Sequence, residues 1–88
     1  MKEIVSVKLD NEMDIILAHK RSMKLSELCG CSLVTQTTLA TAVSEIARIA
    51  LEACKGSMLT MDVESATGKK FITASVRCQG KISPRGND

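Results

Sequence analysis

The chain has 88 residues, enough for one domain that buries only about 60–65% of its unfolded surface, so its core must be compact and simple. Hydrophobic residues make up 44% and charged residues 25%, which excludes a disordered polymer, and the near absence of aromatics (Phe71 alone) leaves Ile, Leu, Val, Met and Ala to build the interior. The net charge is +2 and the basic residues are scattered, with no run longer than Lys20-Arg21 or Lys69-Lys70, so a nucleic-acid partner is not expected. No apolar stretch approaches the roughly 20 residues that cross a bilayer, and Met1-Lys2-Glu3 leads into a strand pattern rather than a signal peptide. The expectation is a cytoplasmic protein with no membrane partner, its four cysteines (Cys29, Cys31, Cys54, Cys78) free thiols as a reducing cytosol keeps them.

In chain order, residues 4 to 9 alternate, with Val5, Val7 and Leu9 on one face and Ser6 and Lys8 on the other, and predict a first strand. Asp10 and Asn11 offer N-caps, and Glu12 and Asp14 place negative charge where the helix dipole favours it. A helix is predicted over about 11–29, ended by Gly30. Its apolar residues fall in two groups, Ile15, Ala18, Leu25 and Cys29 against Met13, Ile16, Leu17 and Leu28, a pattern that suits packing on two sides. Ser32 is the next N-cap candidate. From Leu39 the apolar spacing (Leu39, Ala42, Val43, Ile46, Ala47, Ala50, Ala53, Cys54) predicts a buried helix that stops at Gly56. Two alternating stretches follow, Leu59, Met61 and Val63, then Ile72, Ala74 and Val76, and predict a hairpin around the turn chemistry of 65–70.

The order is therefore β-α-α-β-β, an α+β two-layer sandwich with the helices on one face of a small, mainly antiparallel sheet. Residues 1–80 form the domain. Residues 81–88 carry no periodicity and are assigned as a flexible tail or linker.

On the second helix Thr38, Thr41, Glu45, Arg48 and Glu52 share a polar face, which taken alone is a solvated surface. The run Ala40-Thr41-Ala42-Val43-Ser44-Glu45-Ile46-Ala47-Arg48 resembles the N-box helix of the anti-sigma-factor serine kinases, members of the superfamily that includes gyrase and histidine-kinase ATPase domains. Asp14-Ile15-Ile16-Leu17-Ala18 is similar to that family's first helix, Lys55-Gly56 to its helix exit, and Cys78-Gln79-Gly80 falls where the family has an Asp-x-Gly box. The resemblance implies an ATP-binding fold in which Glu45 is the candidate catalytic residue, acting on the attacking group or its water. An Asn four residues later would ligate magnesium, and the box would receive adenine.

Two of those positions are substituted. Ile49 stands where the family has its Asn, and an aliphatic side chain supplies no oxygen to Mg²⁺. Cys78 stands where the family has the Asp that accepts the adenine amino group, while Gly80 is kept. Loss of a hydrogen bond to a charged group costs about 1.5–3 kcal/mol, roughly 10- to 150-fold in affinity. The family's lid and Gly-rich boxes would follow the Asp-x-Gly region, so the resemblance is to the N-terminal part of such a domain.

Other signals are weaker. Cys29-Gly30-Cys31 with His19, Cys54 or Cys78 lacks the paired short spacings of a structural zinc site, and no metal is expected. His19, beside Lys20 and Arg21, reads as a surface histidine, and Met58 and Met61 in or beside the strand pattern and Met13 and Met23 in the first helix read for the most part as core. The expectation is a non-catalytic bacterial signalling domain that binds a protein partner in a regulatory pathway and needs no cofactor. The alternatives are a serine or histidine kinase domain completed by another segment or chain, which would use Mg-ATP, and a homodimer joined through the first helix or a sheet edge.

Overall fold

The computed structural model describes residues 4–78; the predicted tail 81–88 and Gly80 lie outside the described residues. Within them the expected α+β order is present: β1 (Ile4–Leu9), α1 (Glu12–Leu28), α2 (Leu33–Ala53), β2 (Ser57–Ala66) and β3 (Lys69–Arg77). The sheet is antiparallel with β2 in the centre, Val7 opposite Leu59 on one side and Leu59 opposite Val76 on the other.

Local chemistry sets each boundary. Asn11 caps α1: its Oδ1 accepts the Met13 N–H at 2.9 Å, while Asp14 Oδ2 accepts the N–H groups of Asp10 (2.8 Å) and Asn11 (3.1 Å). α1 ends where Gly30 takes φ +82° and the Cys31 N–H returns to the Ser26 carbonyl at 3.0 Å. Ser32 Oγ accepts the Thr35 N–H at 3.2 Å and opens α2, two turns before the apolar signal that begins at Leu39. At the far end the Gly56 N–H donates to the Leu9 carbonyl at 2.7 Å, which ties the α2 exit to the end of β1. The hairpin turn is Thr67-Gly68, both with positive φ, the two-residue form whose twist suits paired strands, so β2 and β3 run longer than their apolar alternation alone indicates.

Both helices lie on one face of the sheet. Val7, Leu9, Leu59, Met61 and Val63 project from the strands to meet Ile15, Ala18 and Leu25 of α1 and Val43 and Ala47 of α2. Ser22 and Ser26 are fully buried in the same α1 row. Their hydroxyls donate to the carbonyls of His19 (2.8 Å) and Ser22 (2.9 Å), so each small polar side chain enters the core already hydrogen-bonded.

Three packing expectations are corrected. α1 is not packed on two sides: the Ile15 group faces the core while Met13, Ile16, Leu17 and Leu28 are exposed. α2 is not a buried helix, since Ala40, Val43 and Ala47 are buried but Ala42, Ile46 and Ala53 are exposed. Three strands are narrower than two helices with broad apolar faces, and the outer flanks of those faces are left without sheet beneath them. The methionines divide likewise, with Met61 fully buried, Met23 and Met58 half-buried and Met13 in solvent.

Candidate functional site

The α2 helix presents Thr38, Thr41, Glu45 and Glu52 to solvent, as its polar periodicity predicts. Residues four apart on a helix differ by about 40° in azimuth, so Glu45 and Ile49 share one outward face. Ile49 is 67% exposed there. Arg48 turns toward α1, where its Nη1 lies 3.6 Å from Glu12 Oε2 across the outer surface of the helix pair. Both partners of that pair are solvent-exposed, and its contribution to stability is correspondingly small.

Cys78 lies elsewhere. It follows β3 and forms a disulfide with Cys54, the residue that caps α2, with Cα atoms 6.0 Å apart. The expectation of four free thiols therefore holds for Cys29 and Cys31 only. Sequence spacing gave no sign of the pairing because the two cysteines are 24 residues apart; they meet because α2 and β3 run alongside each other and end at the same level. Cys78 is thus a cross-link rather than a weak thiol acceptor.

Cys54 is nine residues beyond Glu45, about 180° around the helix and about 13 Å along it. The fold brings Glu45 and Ile49 together and holds Cys78 on a different flank; Gly80 lies outside the described residues. The Glu45 face offers that carboxylate beside an aliphatic side chain, with Glu52 two turns (about 10 Å) further along, a donor set that does not suit Mg²⁺. Among the described residues no group of three or more His, Cys, Asp or Glu side chains is placed to hold a metal ion. His19 is half-buried on α1, in a shallow depression bordered by Lys20, Lys24 and Glu27.

Spacing alone did not reveal a second surface, the cleft where α2 overhangs β3. One end is a hollow bordered by Cys29, Leu39, Lys70 and Ile72, and the other a hollow bordered by Ala50, Ala53, Val76 and Cys78. The helix row between them follows the 4-3-4 spacing Thr35, Leu39, Ala42, Ile46 and reaches Ala53 at the second hollow. Its signal was legible as apolar periodicity, but periodicity does not separate residues that touch a sheet from residues that overhang its margin.

No helix among the described residues is long and apolar enough to cross a membrane. Comparison of the chain with protein-family models, curated proteins and solved structures returns no match.

Proposed function

We propose that the chain is a non-catalytic signalling domain that binds a protein partner, derived from an ATP-binding fold of the anti-sigma-factor kinase type. The likeness of residues 14–18 and 40–48 to that family's two helices supports the descent. The observation that carries the loss of catalysis is Ile49, which puts an exposed apolar side chain one turn from Glu45, where metal chemistry needs an oxygen ligand. Phosphoryl transfer depends on metal, phosphate-binding backbone and a positioned nucleophile acting together, and Glu45 alone does not supply them. The exposed apolar side chains of both helices are the kind of surface that marks protein interaction sites.

The test is calorimetry with Mg-ATP on the purified chain. The expected result is no heat of binding and no thermal shift. Micromolar affinity would overturn the proposal in favour of a kinase domain completed by another segment or chain. In that case radiolabelled phosphate transfer to a candidate partner would be abolished in Glu45→Ala.

A further inference from the structure

The two margins of the sheet are unequally covered. At β1, Val7 and Leu9 are buried to 3% and 0% exposure, and the Leu9 carbonyl receives the Gly56 N–H. On β3 the helix-facing residues Ile72, Ala74 and Val76 are only half-buried, although their cross-strand partners Val63, Met61 and Leu59 are fully inside. Among the described residues β3 has β2 as its one neighbour, so the other side of its backbone presents N–H and C=O groups along the margin. Thr35, Leu39 and Ala53 of α2 border the hollows beside that margin, and helical spacing puts the exposed Ala42 and Ile46 in the same row. Hollows of about 530 Å³ and 340 Å³ lie at its two ends.

We infer that this cleft takes an extended, acidic segment of a partner protein, which adds to the sheet beside β3 and places alternate apolar side chains under α2. The inference rests on the partner-binding reading above and names the partner's chemistry. The dimensions agree: 21 helical residues at about 1.5 Å and 9 strand residues at about 3.3 Å both span about 30 Å, so floor and overhang have the same length. A strand fits better than a helix, because only an extended segment pairs with the β3 backbone groups that no described strand takes, while its period of two alternates between α2 and the open face.

Charge selects the occupant. β3 carries Lys69, Lys70 and Arg77 and no acidic residue. A second copy of β3 added antiparallel about Thr73 would set Lys69 against Arg77 at both ends, and a parallel copy would stack each cation on itself. Like charges directly opposite destabilise a strand pair, whereas acidic residues at the ends of an incoming strand would flank these cations on the side away from Asp62 and Glu64 of β2. The cross-link between Cys54 and Cys78 holds the overhang to the floor at one end and keeps the cleft formed before a partner arrives.

The experiment titrates the oxidised 88-residue chain with a capped synthetic peptide in which valine alternates with threonine between two pairs of glutamates. Backbone amide and methyl NMR shifts locate the binding. Expected are shifts along 70–77 and at the Ile46 methyls, at least about tenfold weaker binding when lysines replace the glutamates, and at least about tenfold weaker binding to Ile46→Ser. Thermal unfolding of Ile46→Ser should match that of the parent chain, which separates lost contact from lost fold. The inference is overturned by equal binding of the two peptides, by shifts confined to the Met13 and Leu17 face, or by no binding at millimolar peptide. It is equally overturned if the β3 amides shift with protein concentration alone, which would assign the margin to a second copy. Mg-ATP added to the same sample reads the earlier proposal separately: shifts around Glu45 would sink the non-catalytic reading and leave the cleft standing.

Discussion

The β1 and β3 margins are built from similar residues, Val5, Val7 and Leu9 against Ile72, Ala74 and Val76, yet Val7 and Leu9 are sealed while Val5 and the whole β3 row are half-buried. The difference comes from what each strand is tied to. β1 runs directly into the capped start of α1 and is fastened at its end by the backbone bond from Gly56, so its apolar face is closed by elements adjacent in sequence. β3 meets α2 along its flank and is held at the end by the cysteine bridge. Stability should therefore be concentrated around β1, β2 and α1, and recognition along α2 and β3.

The largest effect tests the sealed side. Leu9→Ala, which empties a fully buried position, should cost about 2–5 kcal/mol in denaturant unfolding, enough to threaten a domain of this size. A cost near that of an exposed substitution would break the asymmetry. Next comes the bridge: the double variant Cys54→Ser with Cys78→Ser, or the reduced chain, should lose about 3.5 kcal/mol, the chain-entropy value for cysteines separated by 24 residues. Hydrogen exchange should then rise first in β3 and the last turn of α2 and leave β1 protected. The smallest effect belongs to the open side, where Ile49→Ser should change the unfolding free energy by no more than about 0.5 kcal/mol. A larger loss would mean that Ile49 is covered in solution and that the α2 flank contributes to the core.

The sequence made the element order and the helix starts and stops legible, because alternation, N-caps and terminal glycines are local signals. Asn11, Ser32, Gly30 and Gly56 act at the boundaries that their chemistry indicates. Burial was less legible. Ile46 and Ala42 have the right spacing for a core face and are exposed, whereas Ser22 and Ser26 are polar and wholly buried. The serines could have been found by following the row Ile15, Ala18, Ser22, Leu25 at its 3-4-3 spacing, since a serine bonded to its own helix carries little penalty inside. The bridge between Cys54 and Cys78 was not accessible to local reasoning, because it depends on how α2 and β3 are laid side by side. Of the candidate site, Glu45 and Ile49 were placed on one face by helical arithmetic alone, while their separation from Cys78 required the tertiary fold.

The central position of β2 has a consequence for how the chain assembles. The β2–β3 ladder closes across a two-residue turn and the helix pair across a short one, both events of microseconds when they occur alone. The β1–β2 ladder instead joins Ile4 to Asp62 and has to wait until the whole helical hairpin is accommodated between them. Until β1 docks, the hairpin is a two-stranded ribbon with one apolar face, marginal by itself in water. β1 therefore acts as the latch of the folding reaction: it leaves the ribosome before β2 and has no place to set until β2 has been made.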